Sequence, residues 1–142
     1  MQLKTRNNIN VHGDGDATMV LVHGFGCDQS MWRHLVPAFR DQYRIILFDL
    51  VGFCRTDPDI AKHFARVTFL SDHRADLAKS TTPTLILQCT DDLIAPKEVG
   101  DFIHRAIPGS QLAMIENTGH CPHLSAPAAS IDAMRAYLAG LR

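Results

Sequence analysis

Apolar residues in this 142-residue chain fall into short runs separated by turn-forming and helix-periodic stretches. Mainly apolar runs stand at residues 19–22, 44–48, 84–87 and 111–115, the last three opening on Arg44, Thr84 and Gln111. Runs of that length without alternation predict strands covered on both faces. A further short strand is predicted at 6–11, before the turn chemistry of Gly13-Asp14-Gly15-Asp16. Helical spacing appears between the runs. Met31, Leu35 and Phe39 predict a helix over 30–39, with Pro37 marking a kink or an early end. Ile60, Phe64 and Val67 share one face of a predicted helix over 58–70, where Asp57 is the N-cap and Pro58 the first helical residue. A helix is predicted over 97–106. Another runs over 128–141, with Ile131, Met134, Tyr137 and Leu138 facing inward. Strands that alternate with helices predict an α/β fold with a mostly parallel sheet flanked by helices. With no internal repeat and no low-complexity linker, residues 1–142 are expected to form a single domain.

Composition narrows the function classes. An apolar fraction of 46% with 20% charged residues is ordinary for a globular chain large enough to bury a core. The net charge of −1 offers no electrostatic footprint for nucleic acid or an anionic membrane, so neither partner is expected. No apolar run approaches a membrane span, and the first eight residues carry no signal-peptide core. Cys27, Cys54, Cys89 and Cys121 are far apart and make no Cys-x-x-Cys pair. Reduced thiols in a cytoplasmic protein are the expectation.

Two loops carry candidate chemistry. After the first buried run comes His23-Gly24-Phe25-Gly26, whose glycines let backbone N–H groups turn toward a developing oxyanion. The Phe25 N–H is the candidate donor; a plain glycine turn between strand and helix is the alternative. In the carboxyl half, Asp92 follows one buried run and His120 follows the next, where open α/β sheets place ligand groups. Each has a structural alternative, a turn or capping residue for Asp92 and a satisfied loop histidine for His120. Taken together, in the order acid then histidine, they suggest the carboxylate–imidazole part of a serine-hydrolase triad. His120-Cys121-Pro122-His123 is a weak metal candidate because zinc wants about four ligands in matched geometry. No metal or other cofactor is expected. Cys27 and Cys121 are thiols able to act as nucleophiles, with small-residue packing as the alternative. No Gly-x-Ser-x-Gly nucleophile elbow occurs anywhere, and Ser30, Ser71, Ser80, Ser110, Ser125 and Ser130 all lack flanking glycines.

These motifs carry a family resemblance. His23-Gly24-Phe25-Gly26-Cys27-Asp28-Gln29-Ser30-Met31-Trp32 and Ile46-Leu47-Phe48-Asp49-Leu50-Val51-Gly52 resemble the amino-terminal part of the RsbQ-like α/β-hydrolases. That group includes the karrikin and strigolactone receptors. Phe69-Leu70-Ser71-Asp72-His73-Arg74-Ala75-Asp76-Leu77, Leu87-Gln88-Cys89-Thr90-Asp91-Asp92 and Gly119-His120-Cys121-Pro122-His123 resemble later segments of the same group. The resemblance implies a truncated α/β-hydrolase-like fold, with Asp92 and His120 as catalytic acid and base and Phe25 as oxyanion donor. Asp92 rather than Asp91 has the family's spacing to Pro96. The resemblance also implies an internal deletion at about residues 52–53, where the family continues through the elbow strand and most of a helical lid. One lid helix, carrying Phe64, Val67 and Phe69, is expected to remain.

The functional expectation follows from what is kept and what is missing. It is weak hydrolysis of small esters by a route without the serine, through an Asp92–His120 dyad, on an ester or lactone-like ligand. The alternatives are a noncatalytic ligand-binding or signalling protein and an inactive deletion product. Loss of central strands leaves the strands at 19–22 and 84–87 each without a neighbour. Either the two half-sheets close on each other or copies of the chain share strands, and a homo-oligomer is expected.

Overall fold

The computed structural model describes residues 3–50 and 58–141. The expected junction at 52–53 and the Asp57 cap lie outside them. Contacts group the chain into two compact units, Met1–Ser71 and Asp72–Arg142.

The first unit opens with a helical turn, α1 (Leu3–Arg6), and a three-residue strand, β1 (Asn10–His12). The strand expected at 6–11 therefore forms only from Asn10. Asn8 takes a left-handed φ of 46°, and the Ile9 N–H closes back on the Lys4 carbonyl at 3.1 Å. Asparagine tolerates that region better than most residues, so the chain turns before it pairs. Strand β2 (Ala17–Val22) leads to a 3-10 turn at Gln29–Trp32 and then to helix α2 (Leu35–Phe39). The single helix expected over 30–39 is thus two short pieces. The Asp28 carboxylate caps the first by accepting from Ser30 N at 2.8 Å. Pro37 falls in the first turn of the second, where its missing N–H costs least. Met31, Leu35 and Phe39 are all buried despite the break.

Strand β3 (Tyr43–Phe48) lies in the middle of a three-stranded sheet of order β1-β3-β2. It runs parallel to β2, from Ala17 opposite Tyr43 to Val22 opposite Phe48, and antiparallel to β1. Tyr43, Ile45 and Leu47 alternate inward, and the Phe39 ring meets Tyr43 edge-on at 6.1 Å. β2 departs from expectation: Leu21 is buried, but Val20 and Val22 are 52% and 50% exposed. The physical reason is position. β3 is its ladder partner and β2 is an outer strand of this sheet, so its apolar run is not an interior one. Helix α3 (Pro58–Leu70) completes the unit as expected in extent, yet none of its side chains is buried.

The second unit begins with a short helix, α4 (Arg74–Leu77), whose first residue is clamped by the Asp72 carboxylate at 2.6 Å. Strand β4 (Leu85–Asp91) and strand β5 (Gln111–Thr118) form a two-stranded parallel sheet joined through helix α5 (Lys97–Ala106). Both strands run three or more residues beyond the apolar runs that predicted them, so each delivers a polar carboxyl end. Helices α6 (Pro122–Ser125) and α7 (Pro127–Ala139) close the unit, each with proline in its first turn. Ile131, Met134, Tyr137 and Leu138 are half-buried, and Ser130 is fully buried with its hydroxyl donated to the Ala126 carbonyl at 3.0 Å.

Candidate active site

The carboxyl ends of β4 and β5 bring two of the sequence-predicted residues together. A register shift between Cys89 and Asp91 ends the regular ladder. Past it, the Gly119 N–H donates to the Asp91 carbonyl at 2.8 Å, and Thr118 Oγ1 donates to the Asp91 carboxylate at 3.0 Å. Asp91 therefore ties the two strand ends and turns its charge to Thr118. Gly119 then takes a φ of 118°, a conformation that side-chain-bearing residues rarely adopt. The reversal presents His120 to Asp92, the first residue beyond β4.

Asp92 is buried and fully used. Its Oδ1 accepts the backbone N–H groups of Ile94 and Ala95, both at 2.9 Å. Its Oδ2 lies 2.7 Å from His120 Nδ1. An ionised carboxylate only accepts, so Nδ1 carries the proton and Nε2 is the basic nitrogen of the neutral ring. The imidazole is 48% exposed and the carboxylate 4%, so the pair has a dry acid and an accessible base. Burial pushes the Asp92 carboxyl up. The Ala95 N–H, His120 and the Ile94 N–H outweigh that and hold it below its ordinary value.

Phe25 lies in the first unit, two residues beyond buried His23 at the end of β2. The loop turns through Cys27 N–H donated to the Gly24 carbonyl at 3.3 Å. His23 Nδ1 donates to the same Gly24 carbonyl at 2.9 Å, and its Nε2 accepts the Leu50 N–H at 2.9 Å. The Phe25 ring stacks on Phe64 at 6.4 Å and meets Phe69 edge-on at 5.3 Å. Phe25, Phe64 and Phe69 nonetheless stay 42%, 37% and 70% exposed.

Four contributing residues are not singled out by sequence reasoning. The Ile94 and Ala95 amides leave no side-chain signal. His23 appeared only as part of a glycine loop. Gln88, 6% exposed, holds the Ala95 carbonyl at 2.8 Å, and a polar residue between apolar Leu87 and Cys89 is a signal that could have found it. Among the described residues no group of three or more His, Cys, Asp or Glu is arranged to hold a metal, and no helix is long and apolar enough to cross a membrane. A cleft of about 460 Å³ runs between α4 and α5, lined chiefly by Leu77, Val99, Phe102 and Ile103, and neither Asp92 nor His120 lines it.

Residues 17–80 match the family model described as the alpha/beta hydrolase fold. Residues 67–141, just over half of the chain, match the model described as TAP-like protein. Karrikin insensitive 2 receptor B of Petunia hybrida is 45% identical over 75 residues, which is 53% of this chain and 27% of that protein. Strigolactone esterase RMS3 of Pisum sativum is 38% identical over 82 residues, 58% of this chain and 30% of that protein. The chain thus matches less than a third of the length of these relatives. A hydrolase structure from Oleispira antarctica superposes with a TM-score of 0.83 at 24% identity, covering 94% of each chain, and shares the fold.

Proposed function

The chain belongs to the α/β-hydrolase family, and we propose that it hydrolyses small activated esters feebly, with water as the nucleophile and Asp92–His120 as the base. The observation that carries this is the 2.7 Å contact between a buried carboxylate and an exposed imidazole. In the proposed step His120 Nε2 takes a proton from water as the water oxygen bonds to the ester carbonyl carbon. The tetrahedral intermediate then collapses, and the imidazolium returns the proton to the departing alkoxide. Asp92 stays ionised, fixing the tautomer and stabilising the imidazolium. Turnover is slow because no serine elbow is present, and loss of the nucleophile from a complete triad costs roughly 10⁶ in rate.

The Phe25–Phe64–Phe69 cluster favours a second reading, binding of an apolar ester or lactone-like ligand without turnover. Exposed apolar residues on β2 and α3 also support self-association, with strands lent between copies in place of an interior segment deleted at about residues 52–53. The cytoplasm is the proposed compartment, because the cysteines form no Cys-x-x-Cys pair.

The test is turnover of p-nitrophenyl acetate together with intact mass after fluorophosphonate treatment. The expected result is slow turnover, unaffected by Cys27→Ala or Cys121→Ala, with no covalent adduct. Stoichiometric labelling of a serine, or loss of activity in either cysteine variant, would replace water with that side chain. Saturable binding of an apolar ester with no turnover would establish the second reading instead.

A further inference from the structure

We infer that Gln88 is a positioning residue for the Asp92–His120 pair, acting through the loop at residues 92–95 and on no reacting atom. The inference rests on the proposal that this pair is the hydrolytic base. Gln88 sits in the middle of β4 and is 6% exposed. A primary amide in such a place is costly unless bonded. Its Nε2 donates to the Ala95 carbonyl at 2.8 Å and to the Cys89 carbonyl at 3.1 Å. Both partners are acceptors, which fixes which end of the amide carries the nitrogen.

Ala95 links this bond to the site. Its carbonyl is held by Gln88, while its N–H is one of the two donors on Asp92 Oδ1, at 2.9 Å. The other carboxylate oxygen faces His120. A hydrogen-bonded chain therefore runs Gln88, Ala95, Asp92, His120, within one unit. Helix α5 closes the far side of the amide. A Cβ at Gly100 would stand 2.7 Å from Gln88 Oε1 and 3.0 Å from its Cγ, so the side chain has no room to swing that way. If the bond is lost, the loop can shift and the carboxylate can rotate away from Nδ1. Misplacements of about 1 Å at such groups cost on the order of 100-fold in rate. Neighbouring Asp91 offers no substitute, because its carboxylate is committed to Thr118.

The test uses Gln88→Met, which keeps the volume and removes the donor, read by NMR on the intact chain. Hydrogen exchange at the Ala95 amide should accelerate about tenfold, the loss of roughly one hydrogen bond. The Asp92 carboxyl should titrate higher than in the wild type, since the donors that hold it down loosen. Ile107→Ala, a cavity in the same unit, should lower the melting temperature while leaving both signals in place. Gly100→Ala, which keeps the donor but crowds it, should move both signals in the same direction as Gln88→Met and serves if that variant does not fold. Unchanged Ala95 exchange and Asp92 titration in the folded Gln88 or Gly100 variant would overturn the inference, as would equal shifts in Ile107→Ala. None of these readouts requires turnover, so they separate a failure of this inference from a failure of the proposed hydrolysis.

Discussion

The Asp92 carboxylate has three donors and almost no contact with water, and that fact governs both stability and chemistry at the scale of single residues. Its acidity is depressed in the folded chain, with burial opposed and overcome by the Ala95, His120 and Ile94 donors. A depressed carboxyl contributes stability that is fully present above its ordinary value, near 3.8, and is lost as pH falls through the lower folded value. Asp92→Asn keeps the shape but removes the charge. It should lower stability at neutral pH by about 1–3 kcal/mol and flatten the acid limb of a melting-temperature profile. An acid limb as steep as the wild type's, with equal stability at neutral pH, would show that the carboxylate is not linked to folding. In turnover the same variant should lose about tenfold or more, because the amide no longer favours the productive tautomer.

At the scale of elements, the approach of α5 to β4 depends on a glycine. Gly100→Ala raises helix propensity by about 1 kcal/mol, but its Cβ would press on a buried amide held by two carbonyls. The net effect should be a lower melting temperature in the wild-type background. With Gln88→Ala the same change should become neutral or stabilising, a coupling that a double-mutant cycle reads directly. Additive effects would mean that the helix does not press on that side chain. Much of this element layer was legible in the sequence. Met31, Leu35 and Phe39 are spaced for one face and are buried, and the strands expected at 44–48, 84–87 and 111–115 all form, the second beginning at Leu85. Asp92 and His120 were legible because each follows an apolar run. Other features were hidden for physical reasons. The sequence pattern at residues 19–22 cannot distinguish an interior strand from an outer one, since pairing depends on distant segments. The α3 periodicity is real, but amphipathicity does not say that the apolar face is covered. Gln88 stands out as a polar residue between Leu87 and Cys89, but its partner, a backbone carbonyl seven residues away, leaves no trace in the sequence.

For the whole molecule, the described strands form sheets of three and two, so β2 and β4 are both outer strands. β2 carries no charged or proline residue of the kind that protects natural edges, and its Val20 and Val22 are half exposed. The proposed self-association should give about twice the chain mass by light scattering at micromolar concentration, with a melting temperature that falls on dilution. Val20→Lys should shift the population to monomer with little change in far-ultraviolet dichroism. A wild-type monomer whose melting is independent of concentration would reject strand sharing. The proposed hydrolysis leaves a carboxylate–imidazole pair to work on water without a covalent nucleophile. The most direct measurement is the rate of p-nitrophenyl acetate hydrolysis across pH for the wild type and His120→Ala. The expected result is a wild-type rate above the buffer background and a His120→Ala rate reduced to that background at every pH. Equal rates for the two proteins at every pH would contradict it.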